Sequence, residues 1–500
     1  MAEHFRALLV ILVLTITLFI YLKTATTSVT KSTDFSSRRN AWISLTLIAF
    51  ISHSFWIYSI IAIAIIFIAK ARDKNPLALF FILLFAIPPA QSQIPGFGLI
   101  NYLVELDHIR LLSLTILLPA FFALRQNSET EYFGKLWPDR FLLAYCFVVI
   151  LVNLRDTTFT DTLRQTFYIA IDVFLPYFVA SRGIKNITIM KDSLMAFLIA
   201  TLLLAIIGAF EFSRGWLLYR GLINAMEFKW SYGGYLGRTG SVRASATTGQ
   251  AIALGYVMAI GLGIFFYLHR SIENRFKRSM IAILLGIGLL APLSRGPWVG
   301  FAAISLVFII TGKSAVRRLA TIGLACIVAL PLIAFIPGGE KILNLLPFTG
   351  SVESENITYR EQLINNSLIV IERNPWFGSI DFLKTPEMQA LRQGQGIVDI
   401  VNSYIGIALQ YGLVGLSLFI FFFASILVGI RKSMKSIESK DADIYHLGRS
   451  LISTIIGILV IIFTVSSITV IPVVYWSIAG ICVAYIQLTK SNSSKQSHAK

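Results

Sequence analysis

The sequence carries little charge for its length. Only 14% of its 500 residues are charged and 56% are hydrophobic, whereas soluble chains carry about 25% charged residues. This composition excludes a soluble globular protein. Apolar runs recur along nearly the whole chain, each long enough or nearly long enough to cross a hydrocarbon core about 30 Å thick. Because a backbone in lipid must satisfy its own hydrogen bonds, these runs predict an all-α, polytopic transmembrane helix bundle.

Metal ligands and reactive side chains are also scarce. The three cysteines, Cys146, Cys326 and Cys482, lie within apolar runs without ligand-like spacing, which excludes a disulfide framework and a cysteine metal site. Of the six histidines, His53 falls inside an apolar run, and only His108 is expected outside the membrane on the non-cytoplasmic side. We therefore expect neither a metal nor a cofactor.

The charge that is present is mostly basic. The formal net charge is +17, but Lys and Arg occur in short clusters between apolar runs. This arrangement follows the positive-inside rule of membrane proteins and argues against a nucleic-acid partner. The expected surroundings are a lipid bilayer.

The apolar runs predict about 12–14 transmembrane helices. The run at 41–69 has His53-Ser54 near its middle and is either one tilted helix or two shorter ones. The first run lacks a small-residue cleavage site after its apolar core, which favours a retained helix over a signal peptide. The candidate spans are 7–22, 41–69, 77–92, 109–124, 141–153, 165–180, 189–210, 250–268, 279–293, 297–312, 319–336, 402–430, 450–469 and 471–488.

Basic clusters set the predicted orientation. The Lys/Arg-rich loops at 270–278, 313–318 and 431–449 are assigned to the cytoplasm, together with the basic tail. The linker 23–40 is basic like a cytoplasmic loop, but a single span at 41–69 would put it outside. The side of the membrane that this linker faces therefore stays undecided. Alternation of sides places three features on the outer face: the segment 211–249, the hairpin Ser294-Arg295-Gly296, and the loop 337–401.

Four regions are predicted along the chain. They are N-terminal transmembrane helices (1–210), a central transmembrane region with arginines at its outer edges (211–336), a periplasmic loop subdomain (337–401), and C-terminal transmembrane helices with a cytoplasmic tail (402–500).

The loop subdomain carries helix signals of its own. A first helix is expected to begin at a Thr358 cap and stop at Pro375. A second should begin at Thr385-Pro386 and end at Gly394. On the first helix, the residues expected to share one face are Ile364, Leu368 and Ile371.

Three arginines at the predicted outer edge are candidates for chemistry. They are Arg243 in RASATTGQ, Arg295 in LSRGPWVG and Arg360 in TYREQLINNS. A guanidinium matches phosphate oxygens with a fork of donors, so it suits a lipid-linked phosphate. The alternative for each arginine is a side chain that snorkels to the headgroups. Three arginines on one face, each beside small or polar residues, favour a functional cluster.

Four segments resemble the O-antigen ligase and polysaccharide polymerase family. RASATTGQAIALG resembles its arginine-and-small-residue approach to a span, and LSRGPWVG its Ser-Arg-Gly-aromatic hairpin. YREQLINNSLIVIERNPWFGS is similar to its outer-loop helix and the turn that follows. VNSYIGIALQYGLVG is similar to its closing signature, although Val401 stands where the family usually has histidine. The segments occur in the family's order.

The resemblance implies a GT-C-like glycosyltransferase in the bacterial inner membrane with its active site facing the periplasm. The implied donor is an undecaprenyl-pyrophosphate-linked oligosaccharide, and the acceptor is a carbohydrate hydroxyl. Other polysaccharide-assembly proteins are possible partners. Val401 in place of histidine favours a polymerase over a ligase that transfers to lipid A-core or to protein.

Residue roles follow from the chemistry of this transfer. Cations that neutralise charge on the departing pyrophosphate lower the barrier, and Arg243 and Arg295 are the candidates. Asp399 and Glu361 are the alternatives for a general base, each of which could instead be an ion-pair partner. The residues expected to bind substrate are Arg360, Asn402, Tyr404, Arg238 and Ser294. An N-terminal helix cap is a second interpretation of the Asn402-Ser403 pair.

Two rival functions are disfavoured. A lipid-linked oligosaccharide flippase would place charged residues along the bundle interior, but ionisable groups inside the spans are few, and Asp172 is the clearest of them. A nucleotide-sugar glycosyltransferase would need a soluble domain, and Asp441-Ala442-Asp443 lies in a loop too short to hold one.

Overall fold

A computed structural model describes residues 3–89, 91–98, 100–226, 237–238, 240–321, 324, 354–392 and 397–498. Within these ranges, nine helices are long and apolar enough to cross a membrane, and Arg295–Ile310 is a shorter apolar helix. The prediction of an all-α, polytopic helix bundle is confirmed. The protein is a multi-pass membrane protein.

The helices are numbered in chain order. They are α1 Glu3–Lys23, α2 Ser32–Ser52, α3 Phe55–Arg72, α4 Pro76–Leu83, α5 His108–Gln126, α6 Trp137–Asp156, α7 Phe159–Tyr168, α8 Leu175–Gly183, α9 Ile187–Arg214, α10 Arg220–Ala225, α11 Ala251–Leu268, α12 Arg275–Leu290, α13 Arg295–Ile310, α14 Ser354–Arg373, α15 Pro386–Gln389, α16 Ser403–Lys435, α17 Asp443–Ile462 and α18 Ile471–His498. Two short antiparallel hairpins pair β1 Ser92–Pro95 with β2 Tyr102–Leu106, and β3 Gly237–Arg238 with β4 Ser241–Val242.

Side-chain caps define several helix starts. An Asn, Asp or Thr side chain accepts a hydrogen bond from a backbone N–H in the first turn, which satisfies one of the donors that a helix leaves open. At α4 the cap is followed by Pro76, whose missing N–H costs nothing at this position. The capping residues are Asn75, Asp107, Thr158, Asn186, Asn274 and Asn402.

Two compact units make up the chain. The first comprises Met1–Thr130, Ala170–Phe301 and Ile468–Lys500, and the second comprises Glu131–Ile169 and Ala302–Ser467. In the first unit, α9 packs against α1, α4, α11 and α12, and α18 packs against α8. Helices α9, α11 and α18 are the most buried candidate spans, and they form the apolar centre of this unit.

The 41–69 run forms two helices rather than one. Helix α2 ends at Ser52, His53 adopts a left-handed backbone with φ 49°, and α3 begins at Phe55. The His53 side chain is exposed at this turn rather than enclosed in an apolar run. The polar His53-Ser54 pair therefore marks a reversal of the chain.

Hydrogen bonds show at which end of the first unit the basic linker 23–40 lies. Ser28 Oγ donates to the Ser271 carbonyl at 2.6 Å, and Lys277 Nζ donates to the Thr24 hydroxyl. At the other end of α1, Trp216 Nε1 donates to Glu3 Oε1 at 3.2 Å. The linker therefore shares one end of the first unit with the Lys/Arg-rich loop 270–278, as the composition of both suggests.

The predicted span at 77–92 is wrong. Helix α4 covers only Pro76–Leu83, about 12 Å at 1.5 Å per residue. Residues 77–87 are buried in the first unit, and Pro88-Pro89 precedes β1. Proline cannot continue a helix, so the apolar run ends as buried core. Most of the predicted span at 319–336 lies outside the described residues.

In the second unit, α16 packs against α6, α14 and α17. The loop subdomain has a small core of its own, formed by Leu363, Val370, Phe382, Met388, Leu391 and Leu409. Since Leu409 belongs to α16, this core fixes the subdomain to a candidate membrane span.

The loop helices differ in detail from prediction. Helix α14 begins at Ser354 rather than at Thr358, and it ends at Arg373 before Pro375 as predicted. The second helix begins after Thr385 with Pro386 in its first turn, also as predicted, but it ends at Gln389 rather than Gly394. Gly394 itself lies outside the described residues.

The buried face of α14 also differs. Leu363, Ser367 and Val370 are buried, whereas Ile364 and Leu368 are exposed and Ile371 is partly buried. The predicted face of Ile364, Leu368 and Ile371 is therefore not the side that packs on the core. The sequence has apolar residues on both sides of this helix, so periodicity alone does not select one.

A backbone interlock holds the loop subdomain on α16. Gly412 breaks the helix with φ 66° and ψ −171°. The turn at 374–378 fills the break, since Leu413 N–H donates to the Pro375 carbonyl at 2.7 Å and Val414 N–H to the Trp376 carbonyl at 3.1 Å. Ser379 N–H donates to the Leu409 carbonyl at 2.9 Å. The turn thus satisfies polar groups that the broken helix exposes.

Candidate active site

Arg243 is held against the turn between α12 and α13. Its Nε donates to the Pro292 carbonyl at 3.0 Å, and its Nη2 donates to Ser294 Oγ at 2.8 Å. The next residue, Ala244, donates its N–H to the Ala291 carbonyl at 3.2 Å. Arg243 and Ser294, which are 51 residues apart in sequence, are therefore direct partners.

Arg295 directly follows Ser294 and is the first residue of α13. A tight contact holds this start beside α11, because a Cβ on Gly255 would lie 2.8 Å from Pro297 Cγ. The predicted hairpin at Ser294-Arg295-Gly296 is shifted slightly, since the turn occupies 291–294 and the helix begins at Arg295.

Two residues beside Arg243 and Ser294 have a strained backbone. Ala246 has φ 46° and Leu293 has φ 50°, in the left-handed region that non-glycine residues rarely adopt. Each such residue costs about 1–3 kcal/mol, and such outliers cluster at functional sites. The strain indicates that surrounding contacts hold the backbone beside Arg243 and Ser294 in this conformation.

A second group of predicted residues meets in the second unit. Arg360 Nη2 donates to the Thr464 carbonyl at 3.3 Å, and Ser466 Oγ donates to Asp399 Oδ1 at 2.7 Å. Tyr359 Oη donates to the Asp399 carbonyl at 2.9 Å and is 3.0 Å from the Asp399 amide nitrogen. Burial raises the pKa of Tyr359, which keeps the phenol protonated as a donor at neutral pH.

The Asn402-Ser403-Tyr404 cluster binds α16 to α17 and to the segment that follows α17. The Asn402 side chain accepts from the N–H of Tyr404 and Ile405 at 2.9 and 3.2 Å, which confirms the cap. Ser403 Oγ donates to the Val465 carbonyl at 2.7 Å, and Tyr404 Oη to the Leu459 carbonyl at 3.0 Å. Substrate binding by Asn402 and Tyr404 stays a prediction.

The remaining predicted site residues are Glu361 and Arg238. Glu361 is exposed on α14 beside Arg360. Arg238 lies in β3, but its side chain falls outside what the structure describes. The site residues thus form two groups, Arg243 with Ser294 and Arg295 in the first unit, and Arg360 with Asp399 and the helix cap in the second.

His108 is not available as a base. It is 0% exposed, and both ring nitrogens are engaged, Nδ1 with Tyr58 Oη at 2.9 Å and Nε2 with the Leu83 carbonyl at 2.8 Å. The side of the membrane on which His108 lies stays a prediction. Over the described ranges, no group of three or more His, Cys, Asp and Glu side chains could hold a metal ion.

Several polar groups of the second unit were not predicted. Arg155, ion-paired with Asp156, donates to the Gly378 carbonyl at 2.6 Å, and Asp156 accepts from the Ile380 N–H at 2.9 Å. In α7, Arg164 is buried beside Asp161 while Phe159 and Leu163 are exposed. The inverted amphipathic pattern is visible in the sequence FTDTLRQTFY, so it could have indicated that Arg164 is buried.

An ion pair also joins two helices of the first unit. Arg110 Nε lies 3.1 Å from Asp172 Oδ2. Asp172 lies in a π-helical turn, Ile169–Phe174, and Arg110 lies in the α-helical turn before another, Ser113–Leu117. Asp172, the residue that a flippase reading would emphasise, is therefore paired.

Comparison with known proteins identifies one domain. A family model described as O-Antigen ligase (Wzy_C) matches residues 280–420. The matched range contains LSRGPWVG, the outer-loop helix with its Asn-Pro-Trp-Phe-Gly turn, and VNSYIG, whereas Arg243 precedes it. No curated protein matches the chain. The match confirms the resemblance to the O-antigen ligase family over residues 280–420, which hold three of the four segments.

Proposed function

We propose that the protein is a polysaccharide polymerase. It transfers a glycan from an undecaprenyl-pyrophosphate-linked donor to a carbohydrate hydroxyl of a lipid-linked acceptor, at the periplasmic face of the bacterial inner membrane. The observation that carries the proposal is the bond from Arg243 to Ser294, which lies beside Arg295 within the region that matches the O-antigen ligase family model.

The two arginines act on the leaving group. The acceptor oxygen attacks the anomeric carbon of the donor, the bond from that carbon to the pyrophosphate oxygen breaks, and the lipid pyrophosphate departs with the electron pair. Guanidinium groups fixed before the reaction stabilise the charge that develops on this oxygen. Arg243 is fixed by its bonds to Ser294 and Pro292. Arg360 binds the donor from the loop subdomain.

Asp399 takes the proton of the acceptor hydroxyl. Its Oδ1 is oriented by Ser466 Oγ at 2.7 Å, and the carboxylate is partly shielded from solvent. Glu361, the alternative base, is exposed. A base within hydrogen-bond reach contributes about 10²–10⁴-fold to the rate.

Ligation is the second candidate. The matched domain carries the description O-Antigen ligase, which favours transfer to lipid A-core or protein. Val401 stands at the position where ligases resembling this chain carry histidine, and this favours polymerisation. The two reactions share the donor and differ in the acceptor.

Purified protein and defined substrates separate these functions. With lipid-linked repeat units alone, a polymerase makes longer lipid-linked chains, whereas a ligase transfers glycan only when lipid A-core or an acceptor protein is added. A flippase leaves the chain length unchanged and moves the lipid across a liposome membrane. Unchanged chain length under every acceptor condition would refute the proposed glycosyl transfer.

A further inference from the structure

Glu211 is a buried carboxylate in the last turn of α9, close to the segment that carries Arg243. It is 0% exposed. Its Oε1 accepts the Leu218 N–H at 3.0 Å, and its Oε2 accepts the N–H groups of Ser245 and Ala246 at 3.0 and 2.8 Å. These partners lie in two separate segments, so one side chain ties both to the end of α9.

The carboxylate is well matched to this task. Burying a charged group is costly unless hydrogen bonds satisfy it, and three backbone donors do so here. Both oxygens must accept at the same time. A glutamine has one carbonyl oxygen, so its amide NH₂ would face either Leu218 N–H or the two donors at 245–246.

These bonds fix the backbone immediately after Arg243. Ser245 and Ala246 follow it by two and three residues, and Ala246 is held in the strained left-handed region at φ 46°. On the other side, Arg243 itself is bonded to Pro292 and Ser294. The 243–246 segment is therefore held between Glu211 and the turn before α13.

We propose that Glu211 is a positioning residue for Arg243, which sets the place of its guanidinium against the donor's pyrophosphate. This inference rests on the glycosyl transfer proposed above. Glu211 does not touch the reacting atoms. It acts through the backbone at 245–246, and a displacement of about 1 Å in a catalytic group can cost about 10²-fold in rate.

The kinetic test is a double-mutant cycle on E211Q and R243K. We expect E211Q to lower kcat by about 10- to 100-fold with a donor KM within about threefold of wild type, because the lost interaction acts in the transition state. In the R243K background, E211Q should cause little additional loss, since both changes affect the same guanidinium. An equal loss from E211Q in both backgrounds, or full activity of E211Q, would overturn the proposal.

Asp192 supplies the matched control. It is a carboxylate near the other end of α9, bonded to Arg38 at 2.7 Å and to Asn75 at 2.9 Å. The D192N variant loses an ion pair with Arg38 far along the helix from Arg243, so its kcat per folded molecule should stay near that of wild type. A loss in D192N equal to that in E211Q would mean that Glu211 contributes stability alone.

Hydrogen–deuterium exchange tests the positioning without substrate. In E211A, the amides of Ser245 and Ala246 lose their acceptor, so a peptide covering 243–250 should exchange faster by about tenfold or more, with no such change in D192N. Unchanged exchange in E211A would refute the positioning role even if transfer is observed. Absence of transfer by the wild-type protein would instead refute the proposed function, and the exchange result would still decide the role of Glu211.

Discussion

At the scale of single residues, Arg243 and Ser294 show what the sequence could and could not supply. Both were predicted to belong to the site, because an arginine beside small residues suits a phosphate. Their direct contact at 2.8 Å was not predictable, since 51 residues separate them. Glu211 gave no sequence signal, because it lies at the end of an apolar run and its partners are backbone groups.

The Ser294 hydroxyl is expected to contribute to the reaction by orienting Arg243. A hydrogen bond to a charged group is worth about 1.5–3 kcal/mol, so S294A should lower kcat by about tenfold or more. The measurement is the initial rate of chain extension by purified protein. S213A is the control, since the exposed Ser213 hydroxyl bonds only within its own helix, to the Phe210 carbonyl at 3.0 Å. Equal rates for S294A and wild type would contradict this role.

The choice between the two candidate bases can also be tested. We expect D399N to lower kcat by about 10²-fold, because the carboxylate that Ser466 orients would no longer accept the proton. E361Q should have a much smaller effect, since Glu361 is exposed. The reverse order, with E361Q the slower enzyme, would assign the base to Glu361.

At the scale of elements, local chemistry predicted helix ends better than it predicted faces. The Asn402 cap and the stop before Pro375 follow from side chains that act within one turn, and both were readable. The buried face of α14 depends on the loop core that includes Leu409 of α16, which is distant in sequence. The 77–92 run was misassigned because a buried core segment is as apolar as a span.

The interlock at Gly412 has the same origin in long-range contact. A Cβ on Gly412 would lie 2.3 Å from the Trp376 carbonyl carbon, and a Cβ on Gly378 would lie 2.5 Å from the Leu409 carbonyl oxygen. Both residues have positive φ, at 66° and 58°. Glycine is therefore required on both sides for the backbones to approach.

Substitution of Gly412 should release the loop subdomain. G412A is expected to destabilise the protein by about 2–3 kcal/mol, since the new methyl group overlaps the Trp376 backbone and the backbone is strained. The measurement is the thermal unfolding midpoint in detergent. G406A is the matched control on the same helix, because its Cβ would make an ordinary contact 3.5 Å from Ile400 Cγ2. A midpoint for G412A as high as that of G406A would contradict the interlock.

At the scale of the whole molecule, composition predicted a polytopic membrane protein, and the basic clusters predicted which loops share one side of the membrane. The sequence did not decide which side of the membrane the linker 23–40 faces, because the run at 41–69 was compatible with one helix or two. The structure places it with the loop 270–278 through the Ser28–Ser271 contact at 2.6 Å. The side of the membrane that each end faces remains a prediction from charge.

Thiol labelling tests that orientation. In a background with serine in place of the native cysteines, S28C and N274C should react with a membrane-impermeant reagent only after cell lysis. S213C, at the opposite end of the first unit, should react in intact cells. These three positions are exposed in the structure. Labelling of S28C and N274C in intact cells, with protection of S213C, would reverse the assignment and move Arg243 to the cytoplasmic side.

The most direct test of the account is the initial rate of glycan transfer from a polyprenyl-pyrophosphate-linked donor, measured for equal amounts of folded protein. R243A and R295A should each lose about 10²-fold or more in kcat, because each removes a group that stabilises the departing pyrophosphate. R270A, which removes an exposed arginine from the opposite, basic end, should match wild type. Wild-type rates in both R243A and R295A would contradict the account.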